Sequence, residues 1–295
     1  MHKSKYLLLI TVFAALLMSV MPAFAQEEVN VLDDLVLPRL EEYGADLPEG
    51  YGTLSVDGFL ELLAEEDVTI LDVREMAEVE EFGIIEGAIN VPLRTLGENL
   101  DLLPDLDATI VVVCKGGFRA TIGMTALHVL GYENARVLVG GFDAWLGEEL
   151  PVVEMAAEVE PVEMPEDIDP LLAEYVAGYL ADLPEGWGGV KPLTLFEEMF
   201  ETPPDYIIDV RSEDEWNEGF IEGAEHIWIN EFMVRMEEWP EDLDASTVVY
   251  CGTGYRAGVA SVMMGLMEYN EVRNLSGGIK GWTASELPLV LPMDA

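Results

Sequence analysis

The chain repeats itself, and the repeat constrains the fold more than any other feature. Ile70-Leu71-Asp72-Val73-Arg74 returns as Ile207-Ile208-Asp209-Val210-Arg211, 137 residues later. Cys114 and Arg119 return as Cys251 and Arg256, and Gly140-Gly141 with Trp145 as Gly277-Gly278 with Trp282, at the same offset of 137. Ile85-Glu86-Gly87-Ala88 matches Ile221-Glu222-Gly223-Ala224 at 136, so one residue is lost in a loop and then recovered. The lead-in recurs as well: Asp46-Leu47-Pro48-Glu49-Gly50 matches Asp182-Leu183-Pro184-Glu185-Gly186. Register held over about a hundred residues means two copies of one domain rather than a solenoid.

Within each copy short apolar runs alternate with helical patterns. The runs from 68 to 73 and 206 to 210, and from 109 to 113 and 247 to 250, are rich in β-branched residues. Such runs suit a parallel sheet covered on both faces. A helical stretch follows each cysteine, Ala120 to Leu130 before Gly131, and Ala257 to Tyr269 before Asn270. Glycine or asparagine just past a helix is a common cap. The expected fold is therefore α/β, two open doubly wound parallel sheets with helices on both faces. In this fold the site lies at the C-terminal ends of the strands.

The segments follow from these signals. Residues 1–25 read as a signal peptide: Lys3 and Lys5, then an apolar stretch from Tyr6 to Val20, then Ala23-Phe24-Ala25 before Gln26. The expected location is secreted or periplasmic, with a membrane contact only if that segment stays uncleaved. Residues 26–53 form a lead-in, 54–150 and 193–291 the two domains, and 151–192 a linker with a lead-in helix near 171–181. Pro151 to Pro170 carries four prolines, many acids and no basic residue, which suits an extended, self-repelling linker.

The formal net charge is −44. It would repel nucleic acid and anionic membranes, so neither is expected as a partner. The acidity reads more simply as a solvated surface than as a cation or basic-protein site.

Each cysteine follows an apolar strand and precedes a helix. The loops read Cys114-Lys115-Gly116-Gly117-Phe118-Arg119 and Cys251-Gly252-Thr253-Gly254-Tyr255-Arg256. Glycines allow several N–H groups to converge on one point, and the helix start adds its unpaired amides and positive dipole end. A thiol there is expected to have a lowered pKa and to act as thiolate without a general base. The histidines agree with that: His2 lies in the leader, and neither His128 nor His226 repeats. Cysteine and histidine show no ligand spacing, so neither a metal nor a cofactor is expected.

The Asp-Val-Arg strand end, the Gly-x-Ile-x-Gly-Ala stretch, the Cys-to-Arg loop and the closing Gly-Gly-x-x-x-Trp, in that order and twice, resemble the rhodanese family. The resemblance covers roughly 54–150 and 193–291, and departs from the family at Ile84 and Phe220, where a histidine is usual. It implies a sulfurtransferase in which Cys114 and Cys251 form persulfides. Their sulfur would come from a small sulfur-containing anion such as thiosulfate and pass to a thiol or cyanide. The resemblance also implies that Lys115, Gly116, Gly117, Phe118 and Arg119 bind the donor in the first copy, and Gly252, Thr253, Gly254, Tyr255 and Arg256 in the second. The arginines are expected to be exposed and to face the anion. Lys115 makes the first loop more thiosulfate-like, while Gly252 and Thr253 bring the second nearer the mercaptopyruvate enzymes.

Asp72–Arg74 and Asp209–Arg211 are expected to pair structurally at strand ends, Trp145 and Trp282 to be core aromatics, and Met263, Met264 and Met267 to be packing. Related folds include phosphatases, whose loops are one residue longer than these. A non-catalytic sulfur carrier or partner-binding protein is the remaining alternative. A Cys114–Cys251 disulfide is not expected, because each cysteine belongs to its own domain's pocket.

Overall fold

The computed structural model describes residues 29–292; the signal peptide expected over 1–25 lies outside them. No helix among the described residues is long and apolar enough to cross a membrane. Each copy builds a five-stranded sheet with every pairing parallel. The first sheet runs Thr53–Leu54, Ala135–Leu138, Thr109–Val113, Val68–Asp72, Ile89–Asn90. The second repeats that order as Gly189–Val190, Val272–Leu275, Thr247–Tyr250, Tyr206–Asp209, Glu225–His226. The strand that ends at each cysteine is thus the centre of its sheet. It is buried on both faces, which is why Ile110-Val111-Val112-Val113 and Val248-Val249-Tyr250 show no polar alternation.

The helix after Cys114 spans Phe118–Leu130 and ends at Gly131, whose φ of 102° needs glycine. The helix after Cys251 spans Tyr255–Leu266, short of the expected end at Tyr269. There Glu268, not Asn270, takes the left-handed turn, at φ 66°. Tyr269 N–H donates back to Met264 O, while Asn270 N–H leaves the helix for Leu243 O.

The linker also departs from the expected self-repelling strand. Val152–Val153 pairs antiparallel with Ile84–Ile85. Ala157 N–H then donates to Ala88 O at 2.8 Å, and Val162 N–H to Asp101 O at 2.7 Å. Backbone pairing of this kind outweighs diffuse carboxylate repulsion, and the linker is a strap along the first domain.

The two copies share a core. One apolar cluster runs from Leu71, Val112 and Met124 through to Ile208, Val249 and Met263, while each domain keeps a smaller core on its outer face. The outer cores hold Trp145 and Trp282, whose indole N–H groups donate to Pro151 O and Pro288 O. Met263 and Met264 are buried in the shared core, and Met267 packs against it. The lead-ins are exchanged. Gly44, in the first lead-in helix, sits so close to Met233 of the second domain that a β-carbon would meet its Cγ at 2.5 Å. The second lead-in helix, Pro170–Ala181, lies on Gly97 of the first domain at Ala177, and Arg94 donates to Ala181 O at 2.8 Å.

At the end of the strand beside each cysteine strand is a buried ion pair. Arg74 grips Asp72 with Nε and Nη2, at 2.9 and 2.6 Å to Oδ2, and donates on to Gly83 O at 2.7 Å. Arg211 makes the same bonds to Asp209 and Gly219 O. The pair ties the strand end to the turn carrying the Gly-x-Ile-x-Gly-Ala stretch. Arg211→Met strands the Asp209 carboxylate in the interior, and breaking such a pair costs about 3–5 kcal/mol. Chemical denaturation should show a loss of that size, and a loss below about 1 kcal/mol would mean the pair is dispensable.

Candidate functional site

The cysteine loops are held by the helices that follow the next strand. Phe142 N–H donates to Cys114 O at 2.7 Å and Asp143 N–H to Lys115 O at 2.9 Å. The second copy repeats this with Ile279 on Cys251 O at 2.7 Å and Lys280 on Gly252 O at 3.1 Å. With their carbonyls engaged outward, the loop peptides turn their N–H groups inward. This explains the Gly-Gly motif: Gly141 and Gly278 have φ of 57° and 55°, and a β-carbon on either would collide with the cysteine carbonyl.

Inside the loops, Gly117 N–H donates to Cys114 Sγ and Gly254 N–H to Cys251 Sγ, both at 3.1 Å. Both cysteines are buried and free. The expected lowered pKa is corrected for Cys114. Burial pushes its thiol up, against the pull of the Ala120, Gly117 and Gly116 amides and of Arg119. The loop stabilises a thiolate, but a site closed to water removes more hydration than those donors return.

The arginines also differ from the expectation. Neither is an exposed loop-end cation. Arg119 is buried and holds Glu78 with Nη1 at 2.5 Å and Nη2 at 2.7 Å. Arg256 is half-buried and holds Glu215 at 2.6 and 2.7 Å. Each glutamate also caps its own helix, by accepting from Glu75 N–H or Ser212 N–H. Arg256, with other bonds, holds the Glu215 carboxyl down at about 2. A guanidinium so paired lends little net charge to a donor anion; it ties the loop to the helix opposite.

The remaining loop residues scatter. Lys115 is exposed, with Nζ 5.7 Å from the Phe82 ring centre, and Thr253 is exposed on the second loop. Gly116 is exposed, while Gly252 is half-buried against Arg256 and Glu215. Phe118 and Tyr255 leave their own loops for the domain interface, where Tyr255 Oη accepts the Gly140 N–H at 2.7 Å. His128 is stacked on Tyr43, and burial brings it down to about 4. His226 bonds to Arg211 O, the place Asn90 takes in the first copy. Among the described residues no group of acidic, histidine or cysteine side chains is placed to hold a metal ion.

Sequence reasoning missed two sets of site residues. Glu78 and Glu215 lie 137 apart, so the repeat itself carried the signal. Tyr51 and Trp187 follow the matched Pro-Glu-Gly lead-ins, and each has positive φ, 60° and 63°. Each covers the other domain's arginine: Trp187 lies 5.4 Å from Arg119 and Tyr51 5.5 Å from Arg256. Left-handed aromatics are strained, and their reciprocal placement supplies the compensating contact.

A family model for the rhodanese-like domain matches residues 55–148 and 193–285, more than half of the chain. The chain therefore belongs to the rhodanese-like family, in tandem form. A sulfurtransferase of Allochromatium vinosum is 32% identical over 99 residues, covering 34% of this chain and 91% of that protein. A thiosulfate sulfurtransferase of Corynebacterium glutamicum is 26% identical over 197 residues; the match covers 60% of this chain and 63% of that one, so less than two thirds of its length. The crystal structure of the Escherichia coli 3-mercaptopyruvate sulfotransferase SseA aligns over 77% of this chain and 98% of its own, at 20% identity and a TM-score of 0.39. The relatives make this an enzyme family of sulfurtransferases.

Two measurements test the site. Arg119→Ala and Glu78→Ala should each destabilise the fold, with a coupling of about 1–2 kcal/mol in the double-mutant cycle. A coupling near zero would leave the arginine free for the donor. With Cys251→Ala, iodoacetamide alkylation of Cys114 should keep rising with pH past the ordinary cysteine range near ~8.5. A rate already level at neutral pH would show a preformed thiolate.

Proposed function

We propose that both loops transfer sulfane sulfur from thiosulfate or a similar anionic donor to a thiol or cyanide. The observation that carries this reading is the twofold cradle, an inward N–H on each Sγ at 3.1 Å at the start of a helix. In the first step cysteine Sγ, as thiolate, attacks the outer sulfur of thiosulfate. The new S–S bond forms as the old one breaks, and sulfite leaves with the electron pair. In the second step the acceptor attacks the outer persulfide sulfur and carries it away, returning the cysteine thiolate.

The same amides serve both states. A persulfide places its negative charge one atom further out, where converging N–H groups and the helix dipole still act on it. The donor anion is held by these amides, with Lys115 at the mouth of the first loop, rather than by Arg119 or Arg256. The Corynebacterium glutamicum relative, named for thiosulfate, supports that donor class. Treatment with thiosulfate followed by mass spectrometry should find one added sulfur on Cys114 and one on Cys251. A persulfide on one cysteine alone would refute the two-site reading.

A further inference from the structure

The first cysteine loop leans on a residue of the second. Gly117, whose N–H donates to Cys114 Sγ at 3.1 Å, and Gly140, which caps the helix that holds the loop carbonyls, form a notch at the domain interface. Tyr255, from the second loop, fills it. Its Oη accepts the Gly140 N–H at 2.7 Å, and a β-carbon on Gly117 would collide with the phenol. One phenol thus touches both turns that orient the peptides around Cys114. Burial pushes its pKa up, so it stays neutral and meets the Gly140 N–H with a lone pair.

The second site has no such clamp. Its equivalent notch lies between Gly254 and Gly277, and Phe118, the counterpart of Tyr255, does not fill it. The three atoms nearest a β-carbon on Gly254 all come from the second domain, at 3.7 to 3.8 Å, and Gly277 is exposed. Phe118 has no hydroxyl, and it turns its ring edge toward Gly189 instead. What holds Gly254 belongs to its own domain: its carbonyl accepts from Gly258 N–H and Asn274 Nδ2, both at 2.8 Å. The Gly117 carbonyl is likewise held from within, by Thr121 N–H at 3.0 Å and Thr121 Oγ1 at 3.1 Å. The phenol on Gly140 and Gly117 is therefore what the first site has and the second lacks.

We propose that Tyr255 is a positioning residue for the Cys114 site, supplied by the other cysteine's loop, and that Cys114 takes up sulfur at its full rate only with that phenol in place. The proposal rests on the sulfurtransferase reading and adds that the second domain serves the first. Through Gly140 the phenol fixes the turn whose next N–H groups, on Phe142 and Asp143, hold the Cys114 and Lys115 carbonyls. Through Gly117 it backs the amide that reaches Sγ. Without the hydroxyl, Gly140 N–H loses its acceptor and the turn gains freedom. An amide free to swing gives less to the charge on sulfur during attack. Cys251, whose Gly254 is held from its own domain, does not depend on this contact.

The test uses the full chain and compares the two cysteines within one molecule, so that a change in folded fraction alters both rates alike and cancels. Wild type and Tyr255→Phe are exposed briefly to thiosulfate, and persulfides on Cys114 and Cys251 are trapped by alkylation and measured by mass spectrometry. Tyr255→Phe keeps the ring in the notch and removes only the acceptor. It should lower the ratio of Cys114 to Cys251 loading roughly two- to tenfold, the range of one hydrogen bond. Tyr255→Ala also empties the notch and should lower the ratio at least as far. The pH profile of iodoacetamide alkylation should move up at Cys114 in Tyr255→Phe and stay in place at Cys251. An unchanged ratio in Tyr255→Phe, whether from two normal rates or two equally slowed ones, overturns the proposal, and so does an unmoved Cys114 profile. The sulfurtransferase reading fails separately, if neither cysteine of the wild type takes sulfur; the alkylation profiles then still decide whether Tyr255 positions Cys114.

Discussion

The structure depends on which way a few peptide planes face. The carbonyls of Cys114 and Lys115, and of Cys251 and Gly252, are held outward by N–H groups at the start of the next helix. This anchors the first turn of each loop, and one peptide further on Gly117 N–H and Gly254 N–H reach the sulfurs. Everything else in the site supports that orientation: the left-handed Gly141 and Gly278, the helices beginning at Phe118 and Tyr255, and the arginines that tie the loop to Glu78 and Glu215. A loop held this firmly costs no reorganisation when charge develops on sulfur.

The doubled chain has become one unit. The inner faces of both sheets share a core, and the lead-ins are exchanged, so that Tyr51 serves the second site and Trp187 the first. Neither half could be cut away without exposing apolar surface and uncovering an arginine in the half that remained. Two complete loops are thus kept in one frame, where their surroundings are free to differ. Tyr255 closes a notch on one side, while Asn274 and Ser276 line an open one on the other.

Much of this was legible in the residues. The offset of 137 located both loops, the buried central strands and the Asp-Val-Arg ion pairs. It also relates Glu78 to Glu215, a pair hidden among the many acids of a chain of net charge −44. At Cys114 local sequence shows the amide donors but not the burial that opposes them and pushes the thiol up. The burial of the arginines is hidden for a related reason. A cation near a cysteine looks like an anion site until its carboxylate partner, 41 residues away, is placed beside it.

Sequence alone determined the local architecture, because glycine spacing, strand hydrophobicity and helix caps act over a few residues and recur in register. Tertiary structure decided what faces the site from a distance. The acidic linker became a strap through backbone pairing with Ile84–Ile85, a partner its composition does not name. Phe118 and Tyr255 occupy equivalent places in the repeat yet reach different surroundings, since each points out of its own domain into a neighbour that is not its mirror image. Which notch is filled and which stays open is set by packing between the copies, and the repeat period carries no information about that interface.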